Sequence, residues 1–144
     1  MATVSSIAAA IATQLDALSF VDSASSTSYL PAAANVTCVA FVIPFDQESA
    51  VVQEALSANI TMTHALTVEF WTQIKTGAIS AAMTTAQDAA TLAIAKLVTM
   101  DGTGYVLDAE LGFQERIEPG PVTHVGVPWI VSALRVPVRN EVTV

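Results

Sequence analysis

The sequence predicts a small α/β protein of the α+β kind, in which two main helices pack on one face of a largely antiparallel or mixed sheet. Two segments repeat apolar residues at three- and four-residue spacing, and others alternate apolar and polar residues. Two helices can cover one face of a small sheet. We find no internal repeat and no linker, and 144 residues suit a single domain spanning 1–144.

The two helices differ in length. The first has Thr3 or Ser5 as its N-cap, and its apolar residues recur at helical spacing: Val4, Ile7, Ala8, Ile11, Leu15 and Leu18. The second follows the turn 75–77, spans about 78–100 and ends at Asp101-Gly102. Its predicted apolar stripe contains Ile79, Met83, Ala86, Ala90, Ile94 and Leu97.

Four strands are predicted. The segment 36–45 is rich in β-branched and aromatic residues, and 105–114 and 127–138 follow the long helix. The clearest strand, 60–75, alternates over ~15 residues, against ~5–6 for a typical strand. We expect a strand of this length to project beyond its domain or to pair with another chain. Residues 46–58 suit a short helix or an extended arm about equally, and 22–35 form a loop.

The chain is apolar and poor in charge. Charged residues make up 12%, hydrophobic residues 53%, and the mean hydropathy is +0.57, which argues against disorder. The longest uncharged stretch, between Asp22 and Asp46, is interrupted by prolines, and its apolar part is about half of the ~20 residues of a membrane span. We expect neither a span nor a signal peptide, because no basic residue precedes the first apolar segment. Subunit interfaces would hide such a surface from water.

The net charge of −8 is unevenly distributed. Residues 1–74 contain six acidic residues and no Lys or Arg, whereas 75–144 contain seven acidic and five basic residues. Because tight nucleic-acid binding needs Lys and Arg to neutralise phosphates, a chain of pI near 4.3 is not expected to hold DNA. The single cysteine, Cys38, lies in an apolar run and is expected to be buried and inert.

The sequence contains no catalytic signature, and we predict no catalytic residue, no cofactor and no metal site. His64 lies on the apolar face of the long strand, which favours a core histidine, while His124 is expected to be more exposed. A small ligand-binding domain or enzyme that uses His64 and His124 is the alternative from another functional class. The run Lys75-Thr76-Gly77 joins a strand to a helix but lacks the rest of a phosphate-binding loop.

Five residues are predicted at an interface: Trp71, Trp129, Arg116, Arg135 and Arg139. Trp and Arg dominate binding hot spots. The alternation of the long strand places Trp71 on its polar face, where it is either an exposed anchor or covered by the same chain. Trp129 has the same two interpretations. Arg116 lies in a charge cluster between Glu115 and Glu118, and Arg135 faces away from the apolar side of the last strand.

The layout resembles that of tail terminator proteins, the tail-completion or head–tail joining proteins of long-tailed bacteriophages. The features that carry the resemblance are the N-terminal helix, Tyr29-Leu30-Pro31 before a strand with Pro44, the run 64–71 (HALTVEFW), the long helix after 75–77, and the closing strand 131–138.

The resemblance implies a virion protein of the tail or neck, assembled in the host cytoplasm. Its copies would form a hexameric ring that caps the tail tube, contacts the tail tube protein and the neck or head-closure protein, and lets DNA pass without specific binding. A tail-tube or neck adaptor subunit is the structural alternative.

Overall fold

The computed structural model describes residues 3–28, 30–31, 36–43, 50–53, 59–76, 78–100, 105–107, 114–117 and 120–143. Within these residues, two helices and eight strands follow one another in the order α1 (Val4–Asp16), β1 (Ser23–Ser25), β2 (Cys38–Ile43), β3 (Ala50–Gln53), β4 (Asn59–Gln73), α2 (Ile79–Leu97), β5 (Tyr105–Leu107), β6 (Gln114–Ile117), β7 (Val122–His124) and β8 (Val127–Thr143). The strands form one mixed sheet, which confirms the predicted α+β class. No helix within the described residues has the length and apolar character needed to cross a membrane.

Two long antiparallel strands, β4 and β8, form the middle of the sheet. Their ladder runs without a break from the pair Asn59–Thr143 to the pair Gln73–Trp129. β2 and β3 pair with the other side of β4, and β5, β6 and β7 pair in turn with the other side of β8. β1 joins β2 in parallel. β4 is therefore paired along its whole length with a strand of the same chain, rather than with a neighbouring molecule.

Helix α1 begins where the sequence predicts. Thr3 is the N-cap, and a capping box forms because the Ser6 amide donates to the Thr3 hydroxyl (3.2 Å) while the Thr3 amide donates to the Ser6 hydroxyl (2.9 Å). The buried side of the helix is formed by Ile7, Ala8, Ile11, Ala12 and Leu15.

Helix α2 packs on the sheet through alanines, and this differs from the predicted stripe. Its buried residues are Ala82, Ala86, Ala89, Ala90, Ala93 and Leu97. Of the predicted stripe, Ile79 and Met83 are exposed, so the prediction is wrong for these two residues, whereas Ile94 is half-buried and packs against the main core. Alanines bring the helix backbone close to the sheet, and Ala82 and Ala86 pack on Ile130.

The main core lies between the two helices and one face of the sheet, as predicted. Both helices contribute to it, and the sheet contributes alternate residues of β2, β4 and β8: Cys38, Ala40, Val42, Leu66, Val68, Phe70, Leu134, Val136 and Val138. The alternation predicted for β4 and β8 is confirmed for these positions. We call this side the helix face of the sheet and the opposite side the open face.

Two short strands are not predicted from the sequence. β1 lies within the predicted loop 22–35. β7 falls in a segment for which the sequence predicts no element, and it forms a hairpin with β8 through Val125 and Gly126. Both turn residues have positive φ, 51° and 74°, as a two-residue hairpin of type I′ requires. A β-branched residue rarely adopts this conformation.

Two predicted segments are described only in part. In the ambiguous segment 46–58, Ala50–Gln53 is a strand paired with β4, and the remainder lies outside the described residues. Of the predicted strand 105–114, Tyr105–Leu107 forms β5 and residue 114 begins β6, while 108–113 lie outside the described residues.

Candidate functional site

The two histidines do not form one site. His64 is buried and pairs with Val138 in the central ladder. The centroid of the His124 ring lies 6.2 Å from the centroid of the Trp71 ring. Trp71 is seven residues further along β4 than His64. At ~3.3 Å per residue, this places the histidines roughly 20 Å apart. A general base needs direct hydrogen-bond reach of its partner, so a shared site for the pair is not supported.

Two acidic residues near β1 are used to hold the fold together. The Asp22 carboxylate accepts hydrogen bonds from the backbone amides of Thr37 (2.7 Å) and Cys38 (3.1 Å). The Asp16 carboxylate accepts one from the Ala24 amide at 3.2 Å. Within the described ranges, no group of three or more His, Cys, Asp or Glu side chains is placed to hold a metal ion.

The thiol of Cys38 is fully buried in the main core, as the sequence predicts. Its closest polar neighbour is the Thr72 hydroxyl, which donates to the sulfur at 3.7 Å. Burial raises the pKa of this thiol to about 11, so the thiolate that would act as a nucleophile is scarce at neutral pH.

Two depressions flank Lys75, at the junction of β4 and α2. The smaller one, of about 220 Å³, is lined by Thr37, Thr72, Gln73, Lys75, Ala78, Ala81, Ala82 and Thr85. It is smaller than the ~300–1,000 Å³ of typical ligand sites. The other, about 510 Å³, is an open groove between 73–76 and the turn 126–128, with Lys75 as its one charged residue. Neither combines an acid and a base.

Trp71 and Trp129 are covered by their own chain. They are 7% and 0% exposed, and their rings meet edge-on with centroids 6.2 Å apart. With them, on the open face, pack Val39, Phe41 and Val131, together with the partly buried Val36, Val122 and Val127. The exposed position predicted for an anchor is therefore wrong, and the alternative, cover by the same chain, is observed.

The burial of the indoles has an energetic cost. In the described part of the chain, neither indole N–H finds a hydrogen-bond acceptor. A buried donor without a partner costs ~1–3 kcal/mol, whereas full burial of a large aromatic ring gains more than this. The aromatic cluster thus acts as a second, smaller core that fixes the open face.

Of the three predicted arginines, Arg135 and Arg139 lie nearer the C-terminal end of β8 than Trp129 does, and Arg116 lies on β6. Arg135 and Arg139 pair with Thr67 and Thr63 of β4, and because they are four residues apart in a strand they share the open face. Arg139 is exposed and Arg135 half-buried. Arg116 pairs with Ala133 through the backbone of β6, and its side chain lies outside what the structure describes. Their contact with a partner stays a prediction.

Among the described residues, the most apolar exposed surface belongs to α2, and the apolar stripe predicted for this helix places part of it in the core. Four of the six large exposed hydrophobic residues within the described ranges lie on this helix or at its C-cap: Ile79, Met83, Leu92 and Val98. Leu92, Ala95 and Val98 are exposed at three-residue spacing. The alanine-rich side of the helix was the available signal, because it identifies the face that can approach a sheet closely.

The exposed surface of α2 carries little charge. Asp88 and Lys96 are the two charged residues of the helix, and apart from the large apolar residues the other exposed positions are Ala, Ser, Thr or Gln. A helix surface with few charges and several large apolar residues differs from the polar face of an ordinary amphipathic helix.

No family model and no curated protein matches this chain.

Proposed function

We propose that the protein is a self-assembling structural component of a phage virion, a ring that caps the tail tube at its junction with the head. The observation that carries the proposal is the apolar surface that α2 leaves exposed, at Ile79 and Met83 near its start and at Leu92 and Val98 near its end. A soluble chain with 12% charged residues is expected to cover such a surface with other copies of itself. The order of elements supports the more specific assignment to tail termination.

The chemistry of the described residues favours a structural role over an enzymatic one. The histidines are far apart, the thiol is buried and protonated, and Asp16 and Asp22 accept backbone hydrogen bonds. A reaction would need a nucleophile, a base and an orienting group within reach of one another.

The charge supports a channel through which DNA passes without being held. The net charge is −8, and three of the five basic residues, Arg116, Arg135 and Arg139, lie on β6 and β8. Because affinity for DNA rises with the number of phosphates that are neutralised, so few basic residues would give weak binding that salt abolishes.

Light scattering on a sizing column and negative-stain electron microscopy test the proposal. We expect a ring with about six times the 15.0 kDa mass of the subunit. A tail-tube subunit would instead stack into long tubes, and a neck adaptor would join isolated head–tail junctions without ending tube growth. A monodisperse 15.0 kDa monomer at every concentration, with no rings in the micrographs, would refute the assignment.

Duplex DNA provides a second readout. We expect the assembled protein to release DNA at physiological salt in a gel-shift assay, whereas retention at that salt would contradict the proposed channel.

A further inference from the structure

We propose that the turn of the β7–β8 hairpin joins two copies of this chain, with Val125 of each copy seated in the groove beside Lys75 of the other. Val125 is 69% exposed, more than any other large hydrophobic residue that the structure describes. It lies at the tip of the hairpin, so the contact involves none of the α2 residues that carry the proposed function. The contact also goes beyond the ring, because it is reciprocal, whereas a ring needs a head-to-tail interface.

The backbone of Val125 is strained, although the turn itself does not require a valine. Its φ is 51°, in the left-handed region, where the branched Cβ of a valine is crowded. Asn, Asp or Gly usually occupies this position of a type I′ turn and adopts the conformation at lower cost. Strain of this kind persists mainly at sites where the residue has a role. The exposed valine is therefore explained by a contact outside its own subunit rather than by the turn.

A groove with room for this side chain lies beside the turn. It has a volume of about 510 Å³ and runs between 73–76 and 126–128. Ile74 and Pro128 contribute apolar walls, and the Ile74 amide donates to the Pro128 carbonyl (3.0 Å), which holds the two sides of the groove together. Because the groove begins at the residue after Val125, the tip and the groove adjoin. A two-fold axis between them places each tip in the groove of the other copy.

The distribution of charge favours a second copy as the partner. Residues 119–134 contain no Asp, Glu, Lys or Arg, so a partner that binds through charge finds none on the hairpin. Two copies of a chain with a net charge of −8 repel each other least where the contact contains no acidic residue. Lys75, the one charged residue that lines the groove, is opposite in sign to the net charge of an approaching copy.

The expected affinity of a single contact is low. One turn and one groove on each copy make a small interface, well below the ~1,200 Å² of stable complexes, so we expect separate subunits to pair weakly. A ring would present the contact on every subunit, and two rings joined through it would be held by all of these contacts together.

Substitutions at position 125 separate the contact from the turn. V125N removes the apolar side chain and suits the left-handed backbone, whereas V125T removes it and keeps the branched Cβ. We expect both variants to associate ~10-fold or more weakly than the wild type in sedimentation equilibrium. At low protein concentration, the urea midpoint should rise for V125N and not for V125T. V125I, which keeps a branched apolar side chain, should associate as the wild type does.

A valine that served only the turn would give a different result. V125N would still be more stable than the wild type, but V125N and V125T would associate as the wild type does. That result would overturn the inference.

Disulfide crosslinking tests which residues meet. Thr76 is exposed and lines the groove, so V125C copies mixed with T76C copies should form a disulfide-linked heterodimer under mild oxidation. V125C mixed with A9C, at an exposed position of α1, is the control and should remain uncrosslinked. Cys38 is buried and should not interfere. If V125C crosslinks mainly to itself, the tips meet each other and the groove is not the partner surface.

The outcomes separate this inference from the proposed function. If rings form while V125C does not crosslink to T76C, the hairpin contact is refuted and the ring stands. If the crosslink forms and V125N weakens association while micrographs show only dimers, the contact stands and the ring is refuted. A monomer at every concentration, without the crosslink, refutes both.

Discussion

Replacing Leu97 with alanine tests the packing of α2, and the same replacement of Leu92 provides a matched control. Both leucines lie on one helix, five residues apart, so the change in helix propensity is similar. Leu97 is 0% exposed in the main core, whereas Leu92 is 47% exposed. The difference between the two variants therefore measures burial.

The expected magnitude follows from the environment of each residue. A buried leucine replaced by alanine leaves a cavity and costs ~2–5 kcal/mol, out of a total stability of ~5–15 kcal/mol for a domain. An exposed replacement changes stability by about 0.5 kcal/mol or less. With a urea m-value of ~2 kcal/mol/M, L97A should lower the unfolding midpoint by roughly 1–2.5 M and L92A by at most ~0.3 M.

Urea titration followed by tryptophan fluorescence gives both midpoints, because Trp71 and Trp129 are buried and will report their exposure. The titrations need several protein concentrations, since a loss of assembly in L92A would appear as a midpoint that depends on concentration. Equal shifts for the two variants at low concentration would show that the described burial of α2 is wrong.

Three further predictions concern single side chains. Burial raises the pKa of the Cys38 thiol from 9.0 to about 11, so the stability that the protonated thiol contributes is complete below pH 9 and is lost as the pH rises through 11. The urea midpoint of the wild type should therefore fall more steeply between pH 9 and 11 than that of C38A. Parallel curves for the two proteins would contradict this. D22A removes the carboxylate that accepts hydrogen bonds from the backbone amides of Thr37 and Cys38, and calorimetry should show a loss of stability of ~1–3 kcal/mol. D22N keeps one acceptor oxygen and should lie between D22A and the wild type. An unchanged melting temperature for D22A would exclude this role. The Ser132 hydroxyl is buried with no hydrogen-bond partner among the described residues, so S132A should be neutral or raise stability by up to ~1 kcal/mol, and a loss above that would reveal a partner.

The parts of the fold that were predicted correctly follow from long periodic patterns. Fifteen residues of alternation define β4, and helical spacing with Thr3 as N-cap defines α1. These patterns report burial directly, because a period of two or of ~3.6 residues places the apolar side chains on one side. The helix face of the sheet was predicted for the same reason.

The parts that were missed depend on contacts that no local pattern contains. β1 is three residues of Ser and Ala, and the Asp16 carboxylate bonds to its backbone. Trp71 obeys the alternation of β4, but the sequence does not reveal that His124 and Trp129 cover it. The outward direction of Ile79 and Met83 follows from the close fit of the alanines of α2 to the sheet, which is a tertiary effect.

The place of β8 in the chain has a consequence for biosynthesis. This strand joins β4 to β5, β6 and β7, yet it is the last of these elements to leave the ribosome. Until Val127–Thr143 emerges, the apolar sides of β4 and α2 lack their main neighbour, and the chain must close contacts between residues far apart in sequence, which slows folding. Nascent chains stalled before residue 127 should be cleaved rapidly by protease, and chains released beyond residue 143 should resist it.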